Sequence, residues 1–201
     1  MNKNLIQVEN ISLERNNNKI FDNITLNIYK ASITNIFGPN GCGKTSLLKI
    51  ISGITEPTTG NIKYLDNADD VISSSVYIGH KYGIKNNLTI LENLQYSNNI
   101  ININIMENIK KALYKYDMFK YKNTLAKNLS HGQQKKICLM RAIISQSSLW
   151  IIDEPYSALD DATIKTVNNC FSDYIATGGT IVMTNHNKVN SISAKINNFN
   201  L

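Results

Sequence analysis

Apolar and polar residues alternate over residues 5–13, a turn rich in asparagine interrupts them, and alternation resumes over 21–28. Period two places every second side chain on one face of an extended chain, so this opening predicts an antiparallel β pair. Residues 33–37 form a short apolar run that ends at Gly38, and 44–51 follow with helical spacing. That order is strand, glycine loop, helix. Further on, 76–78 reads as a buried strand, 88–96 as the start of a helix and 105–115 as an amphipathic helix. From Ser130 the pattern is helix, an apolar strand at 149–152, a helix at 161–176 and a strand at 180–184. Strands alternating with helices imply an α/β fold with a parallel sheet and flanking helices. The expected organisation is one domain over 1–201, with a helical subdomain at roughly 85–145 inserted in the α/β core. No internal repeat is visible, and the strand at 180–184 is expected to be the last, with no regulatory tail.

Composition narrows the picture. A length of 201 residues with 42% hydrophobic content suffices for one core without disulfide or metal staples. Cys42, Cys138 and Cys170 are far apart and lack ligand spacing, as expected of reduced thiols. Residues 1–10 have no apolar signal core, and no run approaches the roughly 18 to 20 apolar residues of a membrane span. The net charge of +6 favours an anionic partner. Lys and Arg are scattered, with only short pairs such as Lys110-Lys111 and Lys135-Lys136, so no nucleic acid is expected as a partner.

Three segments bear chemistry. Gly38-Pro39-Asn40-Gly41-Cys42-Gly43-Lys44-Thr45, with Ser46 behind it, fits a phosphate loop. In such a loop glycines let backbone N–H groups surround phosphates at a helix N-terminus, Lys44 adds a point charge, and Thr45 offers a Mg²⁺ ligand. Cys42 needs only to be small there. Asp153 and Glu154 end the apolar strand at 149–152, where Asp153 can hold Mg²⁺ and Glu154 can polarise an attacking water. Taken alone, Asp-Glu-Pro could equally cap a turn. Leu129-Ser130-His131-Gly132-Gln133 opens a helix, with Ser130 as N-cap and Gly132 permitting close approach to the backbone.

These segments, followed by Ser157-Ala158-Leu159-Asp160 and His186, stand in the order and spacing of ABC-type ATPases, and over most of its length the chain resembles that family. The resemblance implies a P-loop NTPase core with a helical signature subdomain, ATP and Mg²⁺ as ligands, and ATP hydrolysis involving Lys44, Glu154 and His186. It also implies a head-to-tail dimer, in which ATP on one phosphate loop is covered by Ser130, His131, Gly132 and Gln133 of a second copy. Asp160 would lie at the dimer seam, and an integral membrane subunit would be the other partner. Where most members carry a coupling Gln, this chain has His80. The run Tyr77-Ile78-Gly79-His80-Lys81-Tyr82-Gly83-Ile84-Lys85, continuing through 88–94, is similar to the ATP-binding subunit of the haem-exporter system of cytochrome c biogenesis. So are the second glutamine, Gln134, after the signature and the Leu149-Trp150-Ile151 run before the carboxylates. That subfamily implies a peripheral location on the cytoplasmic face of the bacterial inner membrane. An adenine-stacking aromatic, common upstream, is replaced by Glu14-Arg15; Arg15 either stacks its guanidinium on the base or is a solvated strand end. An ABC transporter for another cargo and a soluble ABC-type ATPase remain as alternatives.

Overall fold

The computed structural model describes residues 3–65, 67–96 and 105–201. The alternating N-terminal segments form β1 (Asn4–Arg15) and β2 (Asn18–Tyr29), which pair antiparallel with Arg15 opposite Asn18. Asn16 and Asn17 turn the hairpin at φ 49° and 60°, a left-handed conformation that asparagine tolerates better than most residues. Next come β3 (Ile33–Phe37), α1 (Lys44–Ile51) and β4 (Thr59–Tyr64). β4 pairs antiparallel with the free edge of β1, giving a three-stranded sheet in the order β2-β1-β4.

The remaining elements are α2 (Ala68–Ser73), β5 (Ser75–Ile78), α3 (Ile90–Tyr96), α4 (Ile105–Lys115), α5 (His131–Ile144), β6 (Leu149–Ile152), α6 (Asp161–Ala176), β7 (Thr180–Asn185) and β8 (Ile196–Asn200). Five strands build a parallel sheet in the order β5-β6-β7-β3-β8. Its central strands are buried along almost their whole length because both faces are covered, and β6 is apolar throughout. Trp150, Ile152, Ile181 and Met183 pack into one core with residues of the helices, including Ile137 and Met140 of α5 and Phe171 of α6. Leu149, Ile151 and Val182 point the other way, into a core shared with Leu47 and Leu48 of α1 and with Val8, Ile11 and Ile28 of the antiparallel sheet. Each fully buried Ile or Leu contributes about 1.5–3 kcal/mol.

Three elements were not expected from the pattern. β4 and β8 read Thr-Gly-Asn-Ile-Lys-Tyr and Ile-Asn-Asn-Phe-Asn; both are partly exposed edge strands, so neither needs a strong apolar face. β8 lies beyond β7, which is therefore not the last strand, and it forms the sheet edge beside β3. α2 is a short helix of six residues. The helix expected from residue 88 begins at Ile90, because Thr89 caps it: Glu92 N donates to Thr89 Oγ1 at 3.2 Å, and Glu92 Oε2 accepts from Thr89 N at 2.7 Å. Helices α3, α4 and α5 share one buried cluster through Ile90, Leu94, Ile109, Leu113 and Ile137; residues 97–104 of the expected helical insertion lie outside the described residues. Among the described residues no helix is long and apolar enough to cross a membrane.

Parallel register decides where chemistry can gather. Phe37 pairs with Asn185, and Ile152 pairs with Ile78 on one side and Met183 on the other, so β3, β5, β6 and β7 finish on one edge of the sheet. Gly38, Gly79-His80, Asp153-Glu154 and His186 all leave the sheet there, at the carboxyl ends of parallel strands, where open α/β sheets bind ligands.

Candidate active site

The loop between β3 and α1 has an exposed crest at Pro39, Asn40 and Gly41, with Gly38 and Lys44 buried at its base. Gly43 sits at φ 102°, and a Cβ there would come within 2.7 Å of Phe21 and 2.8 Å of Ile20, so only glycine lets the loop enter α1 against β2. No side chain caps α1, which leaves its first N–H groups to other acceptors, an arrangement that favours an anion. Lys44 Nζ donates to Gly38 O at 2.7 Å and Pro39 O at 2.8 Å, folding the ammonium over the loop it belongs to. Cys42 is a half-buried free thiol, and Ser46 is half-buried in the first turn of α1.

Asp153 is only 2% exposed, and both its oxygens accept hydroxyls: Oδ2 from Thr45 Oγ1 at 2.7 Å and Oδ1 from Thr184 Oγ1 at 2.6 Å. The carboxylate thus joins the start of α1 to the end of β7. Thr184 Oγ1 also accepts from Glu154 N at 3.0 Å. Glu154 has φ 47°, unusual for a residue with a side chain, and its Oε1 lies 3.5 Å from His186 Nε2. His186 is exposed and shares an open cleft of about 620 Å³ with Tyr156, Asn185 and Asn187. Thr45, Asp153, Glu154 and His186 are therefore linked along one edge of the sheet by short polar contacts that run through Thr184, and Lys44 stands beside Thr45 at the start of α1.

The signature segment is built as expected and stands elsewhere. Ser130 caps α5 in a reciprocal box: its Oγ accepts from Gln133 N at 3.2 Å, while Gln133 Oε1 accepts from Ser130 N at 3.0 Å. Ser130, His131, Gly132 and Gln133 line a hollow of about 450 Å³ with Ala158, Leu159 and Asp160, and none of residues 38–45 is in its wall. Gly132 faces the backbone of its own chain, since a Cβ there would come within 2.6 Å of Ala158 O. Ala158 is itself at φ 61°, and Asp160 caps α6 by accepting from Thr163 N at 2.8 Å, which holds its carboxyl below the usual range. Gly132→Ala is expected to push this turn away from α5 and to cost about 1–3 kcal/mol, as overpacking does. Thermal unfolding compared with that of the unaltered chain checks it.

His80 and Arg15 are brought to no partner among the described residues: His80 is exposed just past β5, and Arg15 is exposed at the β1–β2 hairpin. Three further groups around the carboxylates escaped the sequence reading. Thr184 is fully buried between them. Lys135, 1% exposed, sends its ammonium from α5 to Asp153 O at 3.0 Å; burial lowers its pKa from the ordinary lysine range, opposed by Cys138, Asp153 and Glu154. Tyr77 has a buried hydroxyl without a hydrogen-bond partner, its pKa pushed up to about 12 by burial and by the charge of Asp153. A hydroxyl one residue before Asn-His and a lysine three residues after the signature glycine were the available signals, but each is a common residue type with no motif of its own.

The sequence profile of the ABC transporter family matches residues 21–157, running from within β2 through the phosphate loop and both carboxylates. The chain belongs to the ABC transporter family. It is an ATP-binding subunit of that family, and relatives extend the match to nearly its full length. The cytochrome c biogenesis ATP-binding export protein CcmA of Wolbachia pipientis wMel is 35% identical, covering 98% of this chain and 98% of that protein. Its counterpart in Vibrio vulnificus (strain YJ016) is 31% identical, with 98% and 99% covered, and that of Histophilus somni (strain 129Pt) is 32% identical, with 95% and 91% covered. Among solved structures, the ATP-binding subunit of an ABC transporter superposes with a TM-score of 0.80 at 21% identity, over 90% of this chain and 79% of that one. An ABC transporter ATP-binding protein from Pyrococcus furiosus also gives 0.80, at 20% identity and 96% of both chains. At these identities the structures establish the fold: the antiparallel N-terminal sheet and the parallel sheet with flanking helices are those of an ABC ATPase.

Proposed function

We propose that this chain hydrolyses MgATP at a site completed by a second copy of itself, and that the work drives a membrane complex for haem export or haem-chaperone release in c-type cytochrome biogenesis. One observation supports the composite site above all. The phosphate loop, Asp153, Glu154 and His186 converge on one sheet edge, while the Ser130–Gln133 segment lines a separate hollow of the same chain. Each copy then holds one complete half of two different sites.

In this reading the N–H groups of residues 38–46 cradle the phosphates, and Lys44 exchanges two neutral carbonyls for their charge. Thr45 and Asp153 present hard oxygens 2.7 Å apart, a donor set of the kind Mg²⁺ takes beside substrate phosphates and water. Mg²⁺, when bound, neutralises charge developing on the phosphates. Glu154 orients and deprotonates the attacking water, and His186, 3.5 Å away, steadies that carboxylate and reaches for the γ-phosphate. From the second copy, Ser130, His131, Gly132 and Gln133 bring the positive end of α5 to the triphosphate, so loss of the γ-phosphate loosens the pair. Asp160 would border the seam, and Arg15 would lie against the base.

The cytochrome c assignment draws on the relatives' printed function and on the run from Tyr77 to Lys85 that holds His80. His80 and α3 form the surface proposed to meet the integral membrane subunit, with the helical region near 85–145 transmitting the motion. The chain would sit peripherally on the cytoplasmic face of the inner membrane. Fractionation tests this: the chain is expected in washed membranes only when its membrane subunit is co-expressed. Equal recovery in the soluble fraction with and without that subunit would instead favour a soluble ATPase.

A further inference from the structure

The peptide between Asp153 and Glu154 is clamped at both polar ends. Its carbonyl accepts from Lys135 Nζ at 3.0 Å, and its N–H donates to Thr184 Oγ1 at 3.0 Å. With that peptide plane held, Glu154 leaves it at φ 47°, a left-handed conformation that is unfavourable for a residue with a Cβ and persists only where the surroundings impose it. Thr184 comes from the end of β7, as part of the same sheet edge. Lys135 comes from outside that edge: it lies in α5, three residues past Gly132, and reaches Asp153 through the protein interior.

Lys135 also touches the segment that follows His80. Its ammonium lies 5.7 Å from the centre of the Tyr82 ring. Tyr82 O in turn accepts from Cys138 Sγ at 3.2 Å and from Arg141 Nη1 at 3.1 Å, both on α5. One helix thus grips the loop beyond His80 along one stretch and the carboxylate turn at another, and Lys135 belongs to both contacts. A buried ammonium is costly unless its hydrogen bonds and neighbours compensate, and an apolar residue would fill the same space without reaching Asp153 O.

We propose that Lys135 is a positioning residue: from the signature helix it fixes the Asp153–Glu154 peptide, and so the aim of the Glu154 carboxylate, making that aim depend on where α5 and the His80 loop stand. This rests on the reading of Glu154 as the hydrolytic base. Displacement of α5, by a second copy at Ser130 or by a partner at the His80 loop, would turn the carboxylate through this one link. It would do so without contact between Lys135 and nucleotide.

Steady-state MgATP hydrolysis by the full chain tests the proposal, comparing Lys135→Met, Lys135→Arg, Glu154→Gln and the Lys135→Met/Glu154→Gln double variant. Lys135→Met is expected to lower kcat about tenfold or more with KM within about twofold, and Lys135→Arg to restore kcat to within about threefold. In the Glu154→Gln background Lys135→Met is expected to lower residual turnover no further, because the group it positions is already gone. Unchanged kcat in Lys135→Met, equal losses in the Met and Arg variants, or a multiplicative loss in the double variant would each overturn the proposal. Should Lys135→Met fail to give a cooperative melt, Lys135→Gln is read against the same thresholds. Full activity in Glu154→Gln would overturn the catalytic reading itself; an inactive Glu154→Gln beside a fully active Lys135→Met would reject the positioning role alone.

Discussion

Glu154→Gln is expected to lower MgATP turnover by about 10²–10⁴-fold while leaving nucleotide binding close to that of the unaltered chain. The amide is nearly isosteric with the carboxylate, and the contact that fixes residue 154, its backbone N–H to Thr184 Oγ1, involves no side-chain atom of residue 154. What would be lost, on the proposed mechanism, is the group that takes the water's proton. With the γ-phosphate retained, two copies should stay closed on ATP, so size-exclusion chromatography with light scattering should find dimer in MgATP and monomer in MgADP. Turnover near the unaltered rate would show that Glu154 is not the base.

Asp153→Asn should be nearly as severe, for a different reason. Asp153 accepts from Thr45 and Thr184 through separate oxygens; in the amide the remaining oxygen can still accept from Thr184 Oγ1, while the Thr45 hydroxyl rotates to accept from the new NH2. The fold is therefore expected to persist, with a melting temperature within a few degrees. The amide offers Mg²⁺ no charge, so Mg²⁺-dependent hydrolysis should fall by about 10²-fold or more. Titrating Mg²⁺ at fixed ATP checks this: rates that recover fully at ordinary Mg²⁺ would remove Asp153 from the metal.

Much of the fold was legible because its central elements are under strong pattern constraints. β6 and the middle of β7, residues 181–183, are buried on both faces and read as unbroken apolar runs, and the spans of α1, α4 and α6 match their periodicity. β4 and β8 were not legible. Edge strands bury one face at most, and the asparagines of β8 earn their place through the polar partners of the neighbouring strand, as where Asn198 Oδ1 accepts from Asn35 Nδ2 at 2.7 Å. Such pairing across 163 positions leaves no local trace.

The candidate site divides in the same way. Gly43, Lys44, Thr45, Asp153 and Ser130 stand in short motifs of fixed spacing, which is why motif reading singles them out. Thr184 and Lys135 act through one carbonyl and one N–H of a peptide brought near them only by folding. Gly132 shows the limit from the other side. Its requirement for close approach was foreseen, but the group approaching in the structure is the Ala158 carbonyl of the same chain. A second copy would then meet a surface already shaped by the turn between β6 and α6.

The most direct measurement is the level of holo-cytochrome c in the native host when the chromosomal copy is replaced by Lys44→Ala, compared with deletion and with the unaltered gene. Nucleotide binding through Lys44 and service to cytochrome c maturation together predict that holo-cytochrome c is lost in Lys44→Ala as fully as in the deletion, with the altered chain present at its usual abundance. Normal holo-cytochrome c in either strain would contradict the account.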